Sequence, residues 1–397
     1  MEKASPSTSN PLLRLWRNEA SRGVIIQVIT MAVLFAVIAL IARNVVINLA
    51  EVGKEFSFGF LTWPAAYDIG FSPYIEYTNQ SSHLQAGLVG LLNTLLVAIC
   101  GCALASVLGF MLGIMRLASN WLVSKISYVF VEFMRNVPVL IHILAFYALV
   151  VTLLPPAKKA IDVGAGAFFL SNRGFYTPSP IFESGAGIVG IAIILAIIIA
   201  IGFKRWAKQV QDRTGKVYPI FWISVAIIIA LPGIAFVATG MPLSWDIPAL
   251  KGFNFKGGMA IKPEFLALWL GLSYYTACFI AEIVRAGILA VSHGQTEAAH
   301  ALGLKNDRTL QLIIIPQALR VIVPPLCSQY LNLTKNSSLA IAIGYMDITA
   351  TLGGISLMQT GKEMETMMIV MGVYLVISLT ISSFMNWFNQ RIKLTER

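Results

Sequence analysis

Charge is scarce in this chain. Of its 397 residues only 12% are Asp, Glu, Lys or Arg, against about 25% in an ordinary soluble domain. That shortage excludes a soluble globular protein. The chain has four cysteines, Cys100, Cys102, Cys278 and Cys327, each inside an apolar run. With no CxxC and no Cys/His cluster, disulfide and metal readings have little support. The four histidines (His83, His142, His293, His300) are scattered; His293 and His300 lie seven apart with no third ligand nearby. A phosphate-cradling G-x-x-x-x-G-K-[ST] loop is missing, as are the G-x-S-x-G and H-E-x-x-H motifs. No nucleophile–base pair lies in the apolar runs, which argues against an intramembrane enzyme. Any energy the protein uses must come from another chain or from an ion gradient.

What is abundant is apolar sequence, at 57% of the chain. Several runs reach the roughly 20 residues that cross a bilayer as helix. They are continuous, whereas a membrane barrel needs many alternating strands of about ten residues. The expectation is an all-α polytopic membrane protein with eight spans: Val24–Ala42, Ala86–Met115, Val139–Leu154, Gly187–Phe203, Tyr218–Thr239, Glu264–Val291, Leu319–Gly344 and Thr366–Asn386. The first run is longer than the 7–15 apolar residues of a signal peptide and reads as a retained span. With the N-terminus inside, the inner segments carry 19 of the 29 Lys and Arg residues and the outer loops eight. This bias places both termini in the cytoplasm, and it explains the net charge of +10 without nucleic acid. Tyr128–Asn136 reads as an amphipathic helix ended by Pro138. The series Ala105, Gly109, Gly113 in the second span suits close helix packing. The residues between the spans at 155–186 and 240–263 read as polar loops. Asn79-Gln80-Ser81 matches a glycosylation triplet, a pattern too common by chance to weigh.

The longest polar interruption of the C-terminal half is Ser292–Pro316, SHGQTEAAHALGLKNDRTLQLIIIP. It reads as two short helices joined at Gly303, the residue type that ends a helix in the left-handed region. Ser292 and Gln295 have capping-box spacing, Asp307 can cap the second helix, and Pro316 is expected to stop it. On composition alone an ordinary polar loop would look the same. Three groups of charge sit in or beside apolar runs. Lys335 lies mid-span among Asn332, Asn336, Ser337 and Ser338; a central charge costs about 2.5–3.5 kcal/mol and normally faces a cavity or a partner. Glu282 and Arg285, spaced i, i+3, can pair on one helix face. Glu132 and Arg135 have the same spacing in the amphipathic helix.

The polar interruption resembles the EAA signature of ABC-importer permeases: Glu297, Ala298, Ala299, Gly303, Ile313 and Pro316 fall in register, with Ile315 in place of the usual Leu. The stretches NTLLVAICGCALASVLGFMLGIMRL, FVEFMRNVPVLIHILAFY, AEIVRAGI, PQALRVIVPPL and KNSSLA are similar to the polar amino-acid permease subfamily, and the layout with KNSSLAIAIGY to the Q-type permease of broad-specificity L-amino-acid importers. The usual RGTP stands here as Arg135, Asn136, Val137, Pro138, and the usual KxTSL as Lys335, Asn336, Ser337, Ser338, Leu339. The resemblance implies a type I importer permease fold with five core and three additional spans. Residues 1–86 would hold an N-terminal tail, an extra helix and a loop; 87–154 and 264–397 the two parts of the core; 155–263 an insertion with two extra helices. It also implies that Glu297, Ala298, Ala299, Gly303 and Pro316 form a coupling loop that docks on an ATPase, with small Ala298 and Ala299 allowing close approach. Glu282, Arg285, Asn332, Lys335, Asn336, Ser337 and Ser338 would line the substrate path, since a zwitterion needs both signs of charge nearby. No cofactor is expected in this chain; ATP and Mg would be bound by the ATPase. The expected partners are a homologous second permease, two cytoplasmic ATPase subunits, a periplasmic amino-acid-binding protein, an L-amino acid and membrane lipid, in a bacterial inner membrane. An opine or polyamine-like solute, or an ion-coupled secondary transporter, are the alternatives.

Overall fold

The computed structural model describes residues 19–392 except positions 52, 73 and 165. The basic tail through Lys3, Arg14 and Arg17, and the terminal Lys393 and Arg397, lie outside the described residues. The apolar runs become helices because in lipid only a helix satisfies its own backbone. Among the described residues ten helices of nine residues or more follow in order: α1 (Glu19–Glu51), α2 (His83–Met115), α3 (Trp121–Asn136), α4 (Val139–Leu153), α5 (Ala186–Thr214), α6 (Ile220–Ala238), α7 (Pro263–Leu289), α8 (His293–Ala301), α9 (Ile315–Asn336) and α10 (Glu363–Ile392). Seven helical stretches among these described residues are long and apolar enough to cross a membrane, and an eighth is counted when the bent pair α3 and α4 is taken as one span. That agrees with the eight spans read from the apolar runs.

α7 is the central helix, with α2, α3, α4 and α9 all packed on it. Its apolar stretch is 61% buried, against none of α1 or α6. The contact with α2 depends on missing side chains. A Cβ at Gly109 would come within 2.6 Å of the Ile280 side chain and 2.9 Å of the Ala277 carbonyl oxygen; one at Gly113 would meet the Ala281 carbonyl oxygen at 2.8 Å. The small-residue series in α2 is therefore a packing surface. Gly109→Ala should destabilise the core by about 1–3 kcal/mol, as overpacking does, and lower the melting temperature of the purified chain in detergent; an unchanged melt would show that α2 and α7 can separate freely.

Pro138 makes the bend between α3 and α4. The residue before a proline is pushed out of the helical region, and Val137 is extended at φ −102°, ψ 134°. The two helices meet at 106°, so when α4 crosses the bilayer α3 lies near the membrane plane.

The region from 155 to 262 differs from expectation. Its two loops form eight short strands: β1 (Ile161–Gly164), β2 (Phe168–Ser171), β3 (Gly174–Thr177), β4 (Ser179–Phe182), β5 (Leu243–Asp246), β6 (Ala249–Lys251), β7 (Asn254–Lys256) and β8 (Met259–Ile261). The sheet order is β1-β2-β3-β8, with separate pairs β4-β5 and β6-β7. Two of these pairings, β3 with β8 and β4 with β5, join residues before α5 to residues after α6. Phe255 packs between Phe169 and Tyr176, each ring centroid 4.6 Å away. α5 and α6 emerge from this layer as a hairpin, α5 contributing the buried stripe Ala192, Ala196, Ala200. Trp206, Tyr218 and Trp222 mark one end of the hairpin and Phe182 and Trp245 the other, the positions aromatic belts occupy at the two membrane surfaces.

At the end of the core remote from α8, residues 54–83 lie across residues 345–366. Lys54 pairs with Glu363 at 2.9 Å. Ser356 bonds both the Tyr67 hydroxyl (3.0 Å) and His83 Nδ1 (2.8 Å). Asn93 Nδ2 donates to the carbonyls of Phe71 and Met346 at 3.0 and 2.9 Å.

Candidate functional site

α8 stands between the core helices α7 and α9 as an exposed hairpin-like loop. The break after it is a true glycine position: Gly303 has φ +78° with no atom near its missing Cβ. The requirement is thus conformational, not steric. The Gly303 and Leu304 amides donate to the His300 and Ala299 carbonyls at 2.9 and 3.1 Å, closing the helix end. Other local expectations are corrected. Ser292 is at the N-cap but its hydroxyl caps nothing; Gln295 instead accepts from the Gln317 amide at 3.1 Å. The Ser/Gln capping box forms at Ser82 and Gln85. Lys305, not Asp307, occupies the next N-cap, and Asp307 lies in the first turn of Asn306–Thr309. Leu310–Ile314 is a π-helical turn in which the Ile315 amide reaches back to the Leu310 carbonyl. Pro316 then sits directly after this turn, inside a helical stretch that runs from Asn306 to Ile343. It does not stop the helix.

The two alanines of the loop face opposite ways. Ala298 is exposed, while Ala299 is 1% exposed and packed inside the loop. Ala299 therefore cannot offer its methyl to a partner. The outer face carries Glu297, bonded to His293 at 3.0 Å, and Leu302, which is 81% exposed.

Above this loop the two i, i+3 pairs join into one network through a residue that the sequence left unremarked. Glu282 holds Arg285 at 2.6 Å and also Arg116, from the end of α2. Arg116 reaches Glu132 of α3 at 3.8 Å, and Glu132 meets Arg135 at 3.6 Å. The network ties α2, α3 and α7 together at the α8 end of the core. Glu282 is engaged there by two arginines. Lys335 lies towards the other end of α9, 20 residues from Ile315, a rise of about 30 Å from that helix's first residue.

Around Lys335 the polar residues divide. Ser328, Asn332 and Lys335 are exposed along one face of α9, with Leu333 and Thr334 buried on the other. Among the described residues no salt bridge reaches Lys335. Asn336 is half-buried. Ser337 is buried and donates to the Thr334 carbonyl at 2.7 Å, and Ser338 donates to the Lys335 carbonyl at 2.8 Å. Both hydroxyls are used by the turn Ser337–Ile343 that follows α9. Of the predicted path residues, Asn332 and Lys335 present themselves; Ser337 does not.

A further acid was missed because it sits just past the end assigned to its span. Asp347 is fully buried; its Oδ1 accepts from the Ala350 amide at 2.8 Å and its Oδ2 from the Tyr374 hydroxyl at 3.1 Å. Burial pushes its carboxyl up from 3.8 to about 6, more than these hydrogen bonds pull it down. A folded-state value above the unfolded one stabilises below about pH 4, and that stability is lost as pH rises through about 6. The melting temperature should therefore fall between pH 4 and 7, by a linkage of order 3 kcal/mol at most. Asp347→Asn should flatten that dependence, and a wild-type slope in the variant would assign it elsewhere.

Residues 192–394 match the family of binding-protein-dependent transport system inner membrane components. The general L-amino acid transport system permease protein AapQ of Rhizobium johnstonii is 46% identical over 376 residues, 95% of this chain and 93% of that protein. The glutamate/glutamine/aspartate/asparagine transport system permease protein BztB of Rhodobacter capsulatus is 44% identical, covering 95% of both. The probable glutamine ABC transporter permease protein GlnM of Bacillus subtilis is 29% identical over 57% of this chain and 94% of its own length. The chain is a multi-pass membrane protein with the type I importer permease fold, and it belongs to the family of binding-protein-dependent transport system inner membrane components.

Proposed function

We propose that this chain is the permease subunit of an ATP-driven importer of L-amino acids of broad specificity, with α8 and both termini on the cytoplasmic side. The observation that carries the coupling role is the exposed α8–Gly303 loop hung between α7 and α9. A force applied to α8 passes directly into the central helix and into the helix that bears Lys335. Glu297, Ala298 and Leu302 form the face that meets a cytoplasmic ATPase; Ala299, Gly303 and Pro316 shape the loop from within. Two ATPases closing on ATP and Mg would drive the rocking, and this chain needs no cofactor of its own. The Arg116–Glu282–Arg285 network makes the α8 end of the core move as a unit.

Ser328, Asn332 and Lys335 make a polar stripe on a membrane helix. Facing lipid, the lysine alone would cost several kcal/mol, so the stripe faces the pathway shared with a homologous second permease. A binding protein delivers the solute at the opposite end, beside residues 345–366. Amino acids are named for the relatives above, which supports that substrate class. The smaller Bacillus relative, matched almost in full by 57% of this chain, supports reading α1 and the α5–α6 hairpin as additions to a five-helix core.

The test is uptake of radiolabelled amino acids by proteoliposomes holding the purified assembly. Transport that requires ATP and loaded binding protein supports the proposal. Transport driven by an ion gradient alone would make the chain a secondary transporter.

A further inference from the structure

α3 has three faces. Ser127, Val131 and Met134 are buried against the core with Cys278 and Ala281 of α7. Leu122, Ile126, Val129 and Phe133 form a second apolar stripe, each more than half exposed. Between these faces lies a polar one bearing Ser124, Lys125, Tyr128, Glu132 and Arg135. A helix at 106° to a membrane span with an uncovered apolar stripe has the form of an interfacial helix, its stripe sunk into the acyl boundary. Trp121, 73% exposed at its start, suits the headgroup level.

Beside the polar face is a pocket of about 420 Å³ lined by Arg116, Trp121, Ser124, Lys125, Tyr128 and Arg285. Three of the six are cations and none is an acid. Among the described residues the three cations Arg116, Arg135 and Arg285 share the two carboxylates Glu132 and Glu282, leaving one positive charge uncompensated, and Lys125 beside them adds a second. Lys125 makes no salt bridge among the described residues; its ammonium lies over the Tyr128 ring at 5.4 Å, with Arg116 over the same ring at 5.2 Å. Basic pockets on the cytoplasmic side of membrane helices bind anionic headgroups.

We propose that this pocket binds the phosphate of an acidic phospholipid whose acyl chains cover the Leu122–Phe133 stripe. The lipid is held at the junction of α2, α3 and α7, on the same ion network that backs the α8 loop, so membrane charge bears directly on the coupling end of the permease. Binding of the anion strengthens as the local potential becomes more positive, and it weakens with salt.

The full chain, delipidated in detergent and titrated with phosphatidylglycerol or phosphatidylcholine, can be weighed by native mass spectrometry. The expected result is retention of phosphatidylglycerol in preference to phosphatidylcholine. Lys125→Ala should weaken phosphatidylglycerol binding about fivefold, the factor expected for one lysine at an anionic surface, and Lys125→Arg should restore it. Lys125 lacks a carboxylate partner, so its loss leaves no unmatched charge, and an unchanged detergent melt confirms the fold. Equal retention of the two lipids, or phosphatidylglycerol binding unaltered in Lys125→Ala, overturns the proposal. Binding of inorganic phosphate at this pocket with no retention of phosphatidylglycerol would also overturn it, by showing a site for the free anion alone.

Discussion

Gly303→Val should reduce amino-acid uptake more than tenfold while the permease still folds and inserts. The magnitude comes from the backbone. Gly303 holds φ +78°, a region that costs an L-residue roughly 1–2 kcal/mol and a β-branched one more. Nothing lies within 4 Å of its missing Cβ, so the strain has no clash to spread into the core. It is relieved locally, by unwinding the end of α8 and losing the Gly303 and Leu304 amide bonds that close the helix. The loop then no longer presents Glu297, Ala298 and Leu302 on one rigid face. Basal ATP hydrolysis by the assembly should survive, but its stimulation by loaded binding protein should disappear. Gly303→Asn is the control, since asparagine visits the left-handed region readily, and it should transport near the wild-type rate. Wild-type uptake by Gly303→Val would mean that the loop need not be rigid to couple.

Lys335→Ala should lower uptake about tenfold or more with assembly intact. The side chain is exposed on α9 and unpaired among the described residues. Removing it leaves no buried partner behind, so its effect on stability should stay within about 0.5 kcal/mol. A charge-assisted hydrogen bond to a passing carboxylate is worth about 1.5–3 kcal/mol, which corresponds to tenfold or more in rate. Lys335→Arg keeps the charge and should recover part of the activity. Normal uptake kinetics in Lys335→Ala, measured with the same vesicles, would remove the α9 stripe from the pathway.

The spans were legible because hydrocarbon thickness fixes their length and composition. α7 runs Pro263–Leu289 where the apolar run suggested Glu264–Val291, and α6 runs Ile220–Ala238 where it suggested Tyr218–Thr239. α5 runs on from Phe203 to Thr214 because a basic, soluble sequence can extend a helix past the membrane with no change of period. Gly303 was legible because only one kind of position rewards glycine at a helix end. What failed to show was long-range. Strands of three or four residues are too short for an alternating pattern, and β3 finds β8 across more than 80 intervening residues. Arg116 belongs to no motif in the sequence; only the packing of α2 on α7 brings it to Glu282. Asp347 carries no mark in sequence of the Tyr374 hydroxyl that will meet it. Pro316 does not end its helix because the π turn just before it lets the helical stretch Asn306–Ile343 run on through the proline.

If α8 transmits force from a cytoplasmic ATPase, as proposed, its outer face touches that subunit. The most direct test places a photo-crosslinking amino acid at position 302, where Leu302 is 81% exposed, and at position 335 as a comparison. In the intact assembly, irradiation should join position 302 to the ATP-hydrolysing subunit and position 335 to the second permease or to the solute. Crosslinks from position 302 only to lipid or to this chain itself would contradict the account.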